Sequence, residues 1–102
     1  MVQIVQIATI STADQCSWQI SIATAGTAVP GPDVGNPNGF WLKAHPDNAD
    51  AVWIGNDGSG DVTNANGYPL DPGESVLISV TNLKRLRFDS DVNTEVICWH
   101  RA

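Results

Sequence analysis

A chain of 102 residues with 42% hydrophobic content is long enough for one domain with its own core, and too apolar to stay disordered. A formal charge of -6 argues against nucleic acid and anionic membrane surfaces as partners, because both are gripped by clustered Lys and Arg. No run approaches the ~20 apolar residues that a membrane-spanning helix needs.

The first six residues, Met1-Val2-Gln3-Ile4-Val5-Gln6, carry no basic export region, which predicts synthesis in a cytoplasm. Residues 2–10 are rich in Val and Ile but lose alternation at Ile4-Val5, as a bulged strand or one covered on both faces would. A helix drawn through Ile4, Ile7 and Ile10 is disfavoured by the β-branched run, which lacks Leu, Glu, Lys and Arg. Cys16 and Cys98 are the two cysteines. A bond between them would close a long loop, worth roughly 4–5 kcal/mol by loop entropy. In a reducing compartment the expectation is instead two buried free thiols. Neither cysteine sits in a CxxC or Cys/His cluster, so no zinc site and no cofactor is expected.

Residues 17–23 alternate, with Trp18, Ile20 and Ile22 inward and Gln19 and Ser21 outward. From Gly26 to Gly39 there are four Gly and three Pro, a long loop with room for a short edge strand at Thr27–Val29. Further strands are expected near 40–45, 51–55, 75–81, 84–89 and 94–100. Short strands punctuated by Gly, Pro and Asn predict a single-domain antiparallel β-sandwich, jelly-roll or immunoglobulin-like, of about 7–8 strands. Val76, Ile78 and Val80 should share its core face.

Between 66 and 83 the punctuation is turn chemistry. Asn66-Gly67 supplies residues that tolerate positive φ. Pro69 and Pro72 hold the connection extended and remove donors. Pro72-Gly73 suits the centre of a type II turn, and Asn82 can bond its own backbone at a strand end. No reaction is written in these residues. Asp57-Gly58-Ser59-Gly60-Asp61 has the oxygen donors of a calcium loop, but the twelfth position counted from Asp57 is Tyr68 and not the Glu of an EF-hand. A solvated loop is the better reading. His45-Pro46-Asp47 with a Ser is a fragment of a triad without a nucleophile elbow, so His45 reads as a turn residue. His100 reads as a surface or interface residue. No enzyme is expected, for want of a catalytic constellation.

Two features can carry binding. Lys84, Arg85 and Arg87 are three of the five basic residues, expected on one strand, either docking on an acidic surface or paired with Asp89, Asp91 or Glu95 beside them. Trp41, Trp53 and Trp99 form the second. Alternation sets Trp41 against Phe40 and Leu42, and Trp53 against Val52 and Ile54. The Trp set therefore faces outward as an interface or sugar platform, unless the sandwich covers both faces.

The order of these segments resembles small accessory proteins of bacteriophage particles. The matching elements are Gly26-Thr27-Ala28-Val29, Leu42-Lys43-Ala44-His45-Pro46-Asp47-Asn48, Val52-Trp53-Ile54-Gly55-Asn56, Gly67-Tyr68-Pro69-Leu70, Pro72-Gly73-Glu74-Ser75 and Val80-Thr81-Asn82-Leu83, then the apolar stretch Val96–Trp99. Such proteins are compact β-sandwiches that decorate capsids or build head-fibre and tail-associated modules. The resemblance implies a non-enzymatic decoration or cement protein, made in the host cytoplasm and carried on the virion as a homo-oligomer. Its partner would be the major capsid protein or another virion protein, and Trp41, Trp53, Lys84, Arg85 and Arg87 are the expected contacts. Residues 1–25 lie outside the resemblance and would serve as strands or an arm in assembly. The alternative is a carbohydrate- or receptor-binding module of a fibre or tail.

Overall fold

The structure is a computed structural model that describes residues 18–56, 62–63 and 66–102. Eight strands run β1 Gln19–Ile22, β2 Val29–Pro30, β3 Phe40–Ala44, β4 Val52–Asn56, β5 Tyr68–Leu70, β6 Ser75–Ile78, β7 Leu86–Ser90 and β8 Glu95–Arg101. A 3-10 turn, Leu83–Arg85, links β6 to β7. The strands form two four-stranded sheets, ordered β1-β8-β3-β6 and β2-β7-β4-β5, and every pairing is antiparallel. The expected β-sandwich is thus the observed architecture.

The order also settles which sandwich it is. β4 pairs with β5, β3 with β6, β2 with β7 and β1 with β8. The chain is one long antiparallel ribbon, folded at the β4–β5 end, whose successive strand pairs fall alternately in the two sheets. Cross-links β3–β8 and β4–β7 close the roll. That is a jelly roll and not the immunoglobulin arrangement.

Alternation places the core. Ile20 and Ile22 of β1, Phe40 and Leu42 of β3, Val52 and Ile54 of β4, Phe88 of β7 and Ile97 of β8 all point between the sheets and are buried. Each fully buried side chain of this size contributes about 1.5–3 kcal/mol of transfer free energy. Val76, Ile78 and Val80 pack against that cluster as expected, but only partly buried, because β6 is an edge strand.

Buried polar groups are tied to backbone. The buried Glu95 carboxylate accepts from the N–H groups of Ala49 and Asp50, both at 3.1 Å, and fixes the 45–51 turn onto β8. Asn48 adds to the same joint, donating to Val96 O and accepting from Val96 N at 2.9 Å each. Buried Asp89 accepts from Gly26 N at 3.0 Å and Ser90 N at 2.7 Å.

Several local expectations need correction. Cys98 is disulfide-bonded and no free cysteine is present among the described residues, so the free-thiol expectation fails. Cys16 lies outside the described residues, as do the 2–10 strand and the Asp57–Asp61 loop. Residues 68–70, read as part of a turn, form edge strand β5, where Pro69 costs no ladder bond that the sheet requires. Trp18 is 50% exposed although it shares parity with Ile20; it precedes β1 and stacks on Trp99 with ring centroids 5.1 Å apart. The 84–89 strand begins only at Leu86; Lys84 and Arg85 belong to the 3-10 turn. That turn is started by Asn82, whose Oδ1 accepts from Lys84 N at 3.0 Å, the local bond expected of it.

Candidate functional site

The outer face of each sheet is set by the residues that alternate with the core. On the first sheet, β3 turns Trp41 outward between Leu77 of β6 and His100 of β8, its register partners on either side. Trp41 is 39% and Leu77 49% exposed, so an indole and an isobutyl group lie side by side at the β6 edge. His100 is exposed, with Nδ1 3.1 Å from Arg101 O. Flat aromatic and aliphatic surface of this kind is more than solubility calls for.

Trp53 is on the opposite side of the molecule. On the outer face of the second sheet it lies between Asp89 of β7 and Pro69 of β5. The segment around Val62 and Gly67 runs over it. A Cβ placed on Gly67 would come within 2.8 Å of Trp53 Cβ, and one placed on Gly55 within 2.8 Å of Val62 Cβ. Trp53 is therefore half-buried, and its Nε1 is buried with no hydrogen-bond partner among the described residues. Trp99 belongs to neither face: it points inward, with its ring edge-on to Phe40 at 6.0 Å. The three tryptophans do not make one platform.

The basic residues divide in the same way. Arg87, on the outer face of β7 opposite Gly55 and Pro30, is half-buried on the side of Trp53. Lys84 and Arg85 are exposed on the 3-10 turn that crosses between sheets. Lys84 Nζ lies 3.9 Å from Asp33 Oδ1, a solvent-exposed pair of little energetic weight. Arg85 and Arg87 make no ion pair among the described residues. Of the acidic partners expected for this set, Asp89 and Glu95 are instead committed to backbone amides.

His45 is the turn residue that the sequence suggests. Its Nδ1 accepts from Asp47 N at 3.0 Å and its carbonyl from Asn48 N at 2.9 Å. What sequence reasoning missed is Leu77. Its outward parity was legible in the β6 alternation, but its exposure follows from β6 being an edge with no described strand across it. Among the described residues, no cluster of three or more His, Cys, Asp or Glu is placed to hold a metal ion. Compared with protein-family models, curated protein sequences and solved structures, the chain matches none.

Proposed function

We propose that this chain is a non-enzymatic adhesion protein of a bacteriophage particle, a decoration protein that binds the head shell. The observation that carries a binding role is the exposed pair Trp41 and Leu77, side by side on the outer face of the first sheet. Trp and Arg are the residues that most often dominate protein interfaces, and Arg85 stands exposed on the neighbouring turn. The shell as partner rests on the ordered turn motifs, from Gly26-Thr27-Ala28-Val29 to Val80-Thr81-Asn82-Leu83, that resemble phage accessory proteins. Jelly rolls serve in capsids and in lectins alike, so the fold by itself favours neither shell nor sugar. Repetition on a shell lattice lets modest contacts sum to tight attachment.

The test is co-sedimentation with purified shells across a salt titration, using wild type, Arg85→Ala and Trp41→Ala. Exposed charges are screened within about 8–10 Å at physiological ionic strength, so the Arg85 contribution should fade with salt and Arg85→Ala should flatten the titration. Trp41→Ala should weaken pelleting at every salt concentration. Trp53→Ala, on the covered face, should lower stability before it lowers binding. A protein that pellets with neither heads nor tails but is held on a glycan column is a carbohydrate-binding module instead.

A further inference from the structure

Among the described residues the sandwich has four edge strands, and they are not equally protected. β2 carries Pro30 and β5 carries Pro69, which keep a further strand from pairing. β1 follows directly on residues outside the described set. β6 has no such device. Ser75–Ile78 contains neither Pro nor charge, and the uncharged stretch continues to Leu83.

The hydrogen-bond phase of β6 shows which groups are free. Ala44 N donates to Glu74 O at 3.0 Å. By alternation along this register, Val76 and Ile78 exchange bonds with Leu42 and Phe40, while Ser75 and Leu77 turn their N–H and C=O away from β3. Among the described residues, Leu77 thus offers an unpaired peptide and an exposed side chain at the same place.

We infer that β6 is the docking edge for a second copy of this chain, paired antiparallel about a two-fold axis at Leu77. In that register the Leu77 peptides of the two copies bond each other, and Ser75 faces the second copy's Ser79. The β1-β8-β3-β6 sheets of the two copies become one continuous sheet, and its outer face carries the row His100, Trp41, Leu77 and then the same three residues in reverse. The two Leu77 side chains then lie side by side on the face that also carries Trp41.

Charge selects this occupant. The turn before β6 carries Asp71 and Glu74, and the turn after it carries Lys84 and Arg85. Antiparallel pairing lays the acidic turn of each copy beside the basic turn of the other, twice by symmetry. The two Glu74 side chains stay about 20 Å apart, six residues at ~3.4 Å, so like charges do not meet. A parallel arrangement would put acidic turn on acidic turn.

The experiment is sedimentation equilibrium of the full chain, free of any shell, from micromolar to millimolar concentration, so it stands apart from shell binding. Wild type should approach twice its 10.9 kDa mass. Leu77→Lys, at a solvent-exposed position, should weaken dimerisation at least tenfold. Asp71→Lys and Arg85→Glu should each weaken it, and the double variant should regain most of the loss. Without any variant, amide exchange at Ser75, Leu77 and Ser79 should slow as concentration rises. A wild type that stays monomeric at millimolar concentration overturns the inference. So does a dimer indifferent to Leu77→Lys, a double variant no better than the singles, or exchange at those amides that ignores concentration.

Discussion

Two glycines near β5 and β6 are required for different reasons, and substitution separates them. Gly73 has φ of +85° in the turn closed by Glu74 N donating to Asp71 O at 2.9 Å, and a Cβ there would meet nothing within 4 Å. Its need is conformational, as the Pro-Gly pair suggests, and Gly73→Ala should cost about 1–2 kcal/mol. Gly73→Asn should cost less, since Asn enters the left-handed region more readily. Gly67 has no positive φ, contrary to what Asn66-Gly67 suggests. A Cβ there would lie 2.6 Å from Val62 Cγ2 and 2.9 Å from Thr63 O, so its need is space. Gly67→Ala should cost roughly 1–3 kcal/mol through overpacking, and Gly67→Asn at least as much. Urea midpoints at unchanged m-value report both series. Equal recovery by Asn at the two sites would refute the distinction.

At the scale of elements, β8 is the most heavily constrained strand. It is central in its sheet, holds the 45–51 turn through Glu95, and carries the bonded Cys98. Glu95→Gln leaves one of the Ala49 and Asp50 amides without its carboxylate oxygen, and should cost about 1–3 kcal/mol by urea unfolding. Protein denatured without reductant should take up no thiol reagent, and should react only after reduction; labelling before reduction would restore the free-thiol picture. Much of the element pattern was legible. Alternation gave the inward sets of β1, β3, β4 and β6, because each strand has one face on the core. β5 was not legible, since Tyr68-Pro69-Leu70 between turn residues carries no period that distinguishes a short edge strand from a loop. Nor was the split of the candidate site. Parity says that Trp41 and Trp53 face away from the core, but only the strand order says that they lie on opposite sheets. Lys84 and Arg85 were read as strand because the Asn82 side chain that starts their turn leaves no mark on the hydrophobic pattern.

For the molecule as a whole, the ribbon topology governs how the fold is reached. Only β4 and β5 are partners that follow one another directly; β1 and β8 are joined across almost the whole described chain. Loop closure must come before such distant contacts stabilise anything, so refolding should fall in the millisecond-to-second range typical of non-local β topologies. Stopped-flow fluorescence of the four tryptophans measures this; a microsecond phase accounting for the full amplitude would contradict it. The position of β8 has a further consequence while the chain folds. It is the strand that joins β1 to β3, so an intermediate in which β8 has not docked leaves a slot between them. Until Glu95–Arg101 takes its place, two strand edges stand open and Ile20 and Leu42 lack their β8 neighbours. Such an intermediate offers edges and apolar surface to other folding chains, and is prone to aggregate.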